Sequence, residues 1–286
     1  QGAGRRKVMF CRRKAENGVE YDASDIITAR HLFSTRAGGV STAPQLASMN
    51  LGEERGDEPG NVEKNFDRLL APLGFGFADT VRGKQVHSTN VRYVTAADRG
   101  SLFEDTDGFV TDCPGVVLVV KVADCVPILL CDEVSGVIAA VHAGWRGSAG
   151  GIAREAVSVM CAHGAAPENI HAALGACIHN CCFEVRSDLV DSVRLMCGDD
   201  IAQRIISHRG GRMYADLTEL DRIMLLAAGV LPENIDISGE CTCCRPDIYF
   251  SHRATGGRRD GSRDSFIKNK KSPKRSRGIS RGKQKI

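Results

Sequence analysis

No apolar stretch in this chain comes near the roughly 20 residues that a bilayer-spanning helix needs. The longest run, 116–122, is interrupted by Lys121, so a helical membrane protein is not expected. Basic residues near the start (Arg5, Arg6, Lys7, Arg12, Arg13, Lys14) are followed by no apolar segment. No secretory signal is read, and the chain is expected in the cytoplasm. No linker divides the 286 residues, which predicts one domain with a substantial core. Compositional bias is lacking too. With 42% apolar and 26% charged residues, the bulk of the chain is neither fibrous nor disordered.

Acidic residues are absent from 268–286, where nine Lys or Arg occur. The net charge of +3 therefore conceals −6 over the remainder, which argues against a core that binds specific nucleic acid. Mixed with Ser, Pro and Gly, those cations read as a disordered, solvated tail. The expected organisation is an N-terminal segment 1–30 carrying the first strands, an enzyme domain over 31–267 and the basic tail 268–286.

Twelve cysteines are present. Without a secretory signal, metal binding or thiol chemistry is expected of them ahead of a disulfide scaffold. Cys131, Cys161 and Cys197 fall within apolar patterns and are assigned to packing. Cys177, Cys181 and Cys182 form one group, and Cys241, Cys243 and Cys244 another. Their Cys-x3-Cys-Cys and Cys-x-Cys-Cys patterns are read as lacking the knuckle spacing of zinc ribbons. They are expected to be packing thiols that line a cavity.

Helical spacing is clearest over 152–160, ended by Gly164, over 189–196, ended by Gly198, and over 217–228, closed by Gly229. Strand-like runs cover 116–122, 127–131, 137–142, 172–177 and 235–238. A weak internal echo links Gly164-Ala-Ala-Pro-Glu-Asn-Ile170 to Gly229-Val-Leu-Pro-Glu-Asn-Ile235, each followed by Gly-x-Cys. Reused helix-to-strand turn chemistry explains it. So does a pair of strands that deliver Cys-bearing loops to one place.

If 133–136 forms the loop between two of the strand-like runs, Asp132 faces Val137 and His142 faces Pro127. Cys125 then lies opposite Gly144, on the same face as His142 and about 7–8 Å from it at Cα. That suits two ligands of one Zn²⁺. A three-residue loop would put them on opposite faces. His87, in Lys84-Gln-Val-His87, follows a glycine break with polar neighbours and can supply a third donor. Two His and one Cys leave a fourth position open, as catalytic zinc sites do. The separations of 38 and 17 residues match no compact zinc motif, and a strand-capping histidine beside a buried thiol accounts for the same residues.

Eight motifs follow in order: Ser34-Thr-Arg-Ala-Gly-Gly-Val-Ser41, Met49-Asn-Leu-Gly52, Lys84-Gln-Val-His87, Ala123-Asp-Cys125, Val141-His-Ala-Gly-Trp-Arg-Gly147, Gly175-Ala-Cys-Ile178, Gly239-Glu-Cys-Thr242 and Phe250-Ser-His-Arg253. Over 34–257 this resembles the family once called multicopper polyphenol oxidoreductase or laccase. Its members are described as zinc-containing purine nucleoside phosphorylases with adenosine deaminase activity. The resemblance implies one catalytic Zn²⁺ on His87, Cys125 and His142, with phosphate as co-substrate. Inosine, adenosine and guanosine are the implied substrates, with methylthioadenosine a further candidate. It also implies an α+β fold, a mixed β-sheet core covered by helices, of the cytotoxic-necrotizing-factor-like cysteine hydrolase type. Multicopper oxidases need many His ligands. Here there are eight His, of which His31, His163, His171 and His208 lie in no shared motif, so multicopper chemistry is rejected. After Gly257 the relatives enter an apolar strand. This chain reads Arg258-Arg-Asp-Gly-Ser-Arg-Asp264, which predicts a short edge strand or a diverged end.

Around the metal, the Arg36–Ser41 loop combines a guanidinium, two glycines and a hydroxyl, which suits phosphate. An ordinary Gly-Gly turn with a solvated Arg suits it as well. Arg146 is a second anion candidate. Asp124 is read as a proton-handling group or as an acceptor that orients the ligand Cys125. Asn50 is a ribose-binding candidate or a turn cap, and Gln85 is placed in the substrate site. The competing activity is a metal-free Cys/His hydrolase or deamidase, with Cys125 as nucleophile and His142 as base. A third possibility is a binding module with a structural metal. The oligomeric state is left open.

Overall fold

Strict alternation along the central strands determines the layering. In the strand Val117–Val122, Val117 and Val119 face one apolar cluster and Leu118 and Val120 the opposite one. The hairpin Val126–Asp132 and Val137–Ala143 alternates in the same way. Ile128, Leu130, Ala139 and Val141 face one side, and Leu129, Cys131, Ile138 and Ala140 the other. Strands buried on both faces must be covered on both. The result is four layers in a computed structural model that describes residues 10–256 and 263–268. Lys268, the first residue of the expected tail 268–286, ends a strand, and the rest of that tail lies outside the described residues.

A seven-stranded sheet runs in the order Phe10–Lys14, Glu20–Ser24, Arg30–Ser34, Arg263–Lys268, Val117–Val122, Thr80–Gly83, Leu102–Phe103. A six-stranded sheet has the order Ile235–Ile237, Ile170–Leu174, Val126–Asp132, Val137–Ala143, Gly108–Thr111, Val91–Tyr93. Phe33, Leu118, Val120 and Ile267 from the first meet Phe109, Leu129, Ile138 and Ala173 from the second. The outer face of the first is covered by the helix Asn61–Leu70 through Phe66, Leu69 and Leu70. That of the second is covered by the helices Ile152–Ala162, Ser187–Cys197 and Leu217–Ala227. A small sheet of Glu184–Val185, Arg212–Ala215 and Ile206–Arg209 stands apart. Both parallel and antiparallel pairs occur, so the architecture is mixed α+β, as expected from the resemblance.

The hairpin register is the one that a four-residue loop dictates: Asp132 pairs with Val137 and Pro127 with His142. The three expected helices and five expected strands are present, the 172–177 strand shifted to Ile170–Leu174. The chain end departs from expectation. Arg263–Lys268 is no edge strand. It pairs with Arg30–Ser34 on one side and Val117–Val122 on the other, because Ile267 supplies a fully buried side chain between the sheets. The two echo segments also meet. Ile170–Leu174 and Ile235–Ile237 are parallel neighbours, and a further bridge joins Cys177 to Cys241.

Candidate metal centre and its cavity

His142 closes its strand on the inter-sheet side, and its ring is buried, 3% exposed. Cys125 lies one residue before the facing strand. His87 arrives on the loop that follows Thr80–Gly83. The donor atoms of these three residues all lie within 4.8 Å of one another. Cys125 Sγ is 3.7 Å from His87 Nε2, and the two imidazoles meet edge-on at 4.8 Å between centroids.

Backbone strain helps to place them. His87 (φ 62°) and Asp124 (φ 90°) occupy the left-handed region, a costly position for residues with a Cβ that the surroundings must hold. Gly144 lets the His87 loop approach, since a Cβ there would stand 2.3 Å from His87 Cδ2. This explains one glycine of the His142-Ala-Gly-Trp-Arg-Gly147 motif.

One carboxylate organises the centre. Asp107 is fully buried. It accepts from the backbone N–H groups of Val86, His87 and Ser88 at 3.0–3.1 Å and from Ser88 Oγ at 2.7 Å. Its Oδ1 also lies 2.7 Å from His142 Nδ1. That bond turns His142 Nε2 toward Cys125 and His87, the carboxylate–histidine arrangement that fixes ring orientation in metal sites. Burial by itself would raise the Asp107 carboxyl, but the hydrogen bonds from His142 and Ser88 outweigh it and hold the group near 2. Burial likewise opposes a Cys125 thiolate. The His142 charge and the His142 and His87 hydrogen bonds bring the thiol down to about 6. His142 itself is pushed up to about 9, because Cys125 and Asp107 outweigh burial. Both shifts favour the thiolate and the imidazolium over two neutral groups.

The three donors lie in the wall of a cavity of about 640 Å³, within the size range of small-molecule sites. Gln85 and Asp124 line it as well. Gln85 brackets the backbone of Lys121, accepting from its N at 2.7 Å and donating to its O at 2.6 Å. Asp124 accepts from Thr242 Oγ1 at 2.6 Å and from the Arg253 N–H at 2.8 Å. Its carboxylate thus ties the Cys125 turn to two distant segments.

The other sequence candidates lie off the cavity lining. Arg36 donates to the carbonyls of Ala47 at 3.0 Å and Pro246 at 2.7 Å and packs on Phe250. Ser41 and Asn50 both donate to Asp57, at 2.6 and 2.9 Å. Arg146 is exposed above the Trp145 ring. The cations that do line the cavity are Arg55, Lys84, Lys121 and Arg253, with His252. Lys84 pairs with Glu104 at 2.8 Å. Arg55 shows no ion pair among the described residues. Sequence reading missed Asp107 and these cations. His252 and Arg253 stand in a motif that it quoted without assigning them, and Asp107 has only an unremarkable Asp-Gly step to mark it.

Residues 30–269 match the family described as multi-copper polyphenol oxidoreductase laccase. The chain belongs to that family. Among curated relatives, purine nucleoside phosphorylase YlmD of Geobacillus stearothermophilus is 38% identical over 233 residues, covering 79% of this chain and 85% of its own. A purine nucleoside phosphorylase of Deinococcus radiodurans is 40% identical over 226 residues, 79% and 84% of the two chains. Adenosine deaminase RL5, from an unknown prokaryotic organism, is 35% identical over 78% of this chain and 88% of its own. The crystal structure of the Geobacillus YlmD superposes with a TM-score of 0.82 at 33% identity, covering 91% and 99%. No helix among the described residues is long and apolar enough to cross a membrane.

Proposed function

We propose that the chain is a purine nucleoside phosphorylase with adenosine deaminase activity, and that His87, Cys125 and His142 hold its one catalytic Zn²⁺. The observation that carries this is the convergence of two imidazoles and one thiol in the wall of a cavity of small-molecule size. The donors fit zinc. The set mixes N and S, one histidine is oriented by a buried carboxylate, and three protein ligands leave a position open toward the cavity. It does not fit the copper chemistry of the family's description, since only two histidines take part. A Zn²⁺ in this place supplies Lewis-acid chemistry, the polarisation of a substrate oxygen or nitrogen and the acidification of water.

The protein's own groups supply position and charge. Asp107 keeps His142 in one orientation, Asp124 holds the Cys125 turn, and Gln85 fixes the backbone of Lys121 in the wall. In phosphorolysis a phosphate oxygen bonds to the ribose anomeric carbon while the bond to the purine nitrogen breaks and the base takes up a proton. Arg55, which has no ion pair among the described residues, and Lys121, 3.9 Å from Glu53, hold that phosphate in our reading, because both line the cavity and Arg36 does not. The reaction then rests on orientation and charge stabilisation. Twelve cysteines with no disulfide among the described residues fit a reducing, cytoplasmic setting.

Inosine should be consumed only with phosphate, giving hypoxanthine and ribose 1-phosphate, while adenosine becomes inosine without it. Free ribose as product would leave a nucleoside hydrolase instead. The depressed Cys125 thiol beside His142 favours a second reading, a metal-free hydrolase of the cytotoxic-necrotizing-factor-like cysteine type. About one equivalent of zinc lost with turnover in a Cys125→Ala variant removes that reading. Turnover by zinc-free protein establishes it.

A further inference from the structure

A second group of donors converges away from His87, Cys125 and His142. The Sγ atoms of Cys181, Cys182, Cys241 and Cys244 all lie within 4.8 Å of one another. Cys182 to Cys244 is 3.4 Å and Cys181 to Cys244 is 3.6 Å. With Zn–S bonds of about 2.3 Å, a tetrahedral four-sulfur site has edges of roughly 3.8 Å, so the thiols already stand near that spacing. All four are free.

The motif is present after all, masked by its neighbour. Cys241 and Cys244 are a Cys-x2-Cys pair, and the Cys243 between them bonds Cys182 but is not one of the four converging donors. The backbone N–H of His179 points at Cys241 Sγ at 3.5 Å, and that of Cys244 also bonds to this sulfur. Such donors orient a ligating thiolate and compensate its charge.

We propose that Cys181, Cys182, Cys241 and Cys244 form a second metal site, an all-thiolate Zn²⁺ centre that fastens the 177–184 loop to the 239–250 loop. Binding displaces the thiol protons to solvent. Four sulfurs fill the coordination sphere, so the site is structural. Its effect falls on the cavity wall. Ile178 and Phe183, on the first loop, line the cavity. Thr242, on the second, bonds Asp124, and the Cys182 carbonyl accepts from Arg253 at 3.2 Å.

The test uses the full chain carrying Cys125→Ser, which disables the first site, purified with reductant and dialysed against Zn²⁺. One equivalent of zinc per chain should remain. Adding Cys244→Ser should lower it at least tenfold, whereas adding Cys243→Ser should leave it in place. No zinc on the Cys125→Ser chain overturns the proposal, as does equal loss from the Cys243 and Cys244 variants. Should the Cys244 variant not fold, Co²⁺ titration of the Cys125→Ser chain decides. The intense charge-transfer absorption of several thiolates on one cobalt supports the site, and its absence refutes it.

Discussion

The two donor clusters of this protein use cysteine in opposite ways. Around His87, Cys125 and His142 two of the side chains sit at strand ends and the third on a loop, all beside a buried aspartate that makes five hydrogen bonds. Around Cys181, Cys182, Cys241 and Cys244 they sit on loops, with two of the four thiols exposed. The first cluster has three donors and opens on a cavity. The second has four and encloses the space between them. A site with three ligands leaves room for a substrate, while a full set of four sulfurs leaves room only for the ion.

The sharpest way to separate the two is to remove a donor from the first. Cys125→Ala or His142→Ala should reduce nucleoside turnover by more than about a hundredfold, beyond the loss expected for an outer partner. One equivalent of zinc should go with it by metal analysis. A variant that kept full turnover would break the assignment. Next in size is Asp107→Asn, which keeps the volume but weakens the bond to His142 Nδ1. It should cost about 10- to 100-fold in zinc affinity, measured by chelator competition, and leave the thiol cluster's metal alone. A smaller effect is expected at the cations. Arg55→Ala removes a charge-assisted contact of about 1.5–3 kcal/mol, or about ten- to a hundredfold in phosphorolysis, with adenosine deamination much less affected. Arg36→Ala should affect both reactions alike, since its bonds go to Ala47 and Pro246. The opposite pattern in the two rate ratios would return phosphate to the Arg36 loop.

The smallest effect concerns Asp221, buried behind the centre. It accepts from Ser148 at 3.0 Å, and its Oδ1 has no partner among the described residues. Burial raises its carboxyl well above the usual value, against the pull of the Ser148 hydrogen bond. A raised carboxyl favours folding only while protonated, so its contribution worsens as pH climbs past the unfolded value of about 4. Asp221→Asn should therefore raise the melting temperature by a few degrees, about 1 kcal/mol or more, and by more at pH 8 than at pH 5. An equal gain at both would show that the carboxyl is not held protonated.

Much of this was legible in the sequence where a short-range rule applied. A four-residue loop determined the hairpin register, and that register placed Cys125 and His142 on one face. Period-two runs marked the central strands, and glycines marked the ends of their helices. Long-range pairing was not legible. Nothing local announces that Arg263–Lys268 enters a sheet between segments more than 140 residues away. Asp107 was hidden for the same reason. Its role depends on three consecutive N–H groups and one imidazole that only the fold gathers. Cys241 and Cys244 were obscured differently, by a third cysteine between them that is not one of the four converging donors. Arg36 shows the reverse error to be possible. A loop rich in anion-binding groups can turn them to carbonyls and a carboxylate of the protein itself.

The place of Arg263–Lys268 between Arg30–Ser34 and Val117–Val122 also dictates an order of assembly. During synthesis the three N-terminal strands have no partner linking them to the rest of their sheet until about 230 residues later, when the closing strand leaves the ribosome. Until then two hydrogen-bonding edges stand open, one on each side of the gap, and each can recruit another chain. Folding of this sheet is thus a late, non-local event that loop-closure entropy slows. A nascent chain halted before residue 263 would hold the hairpin that carries His142 and still lack the strand that joins the halves of the neighbouring sheet.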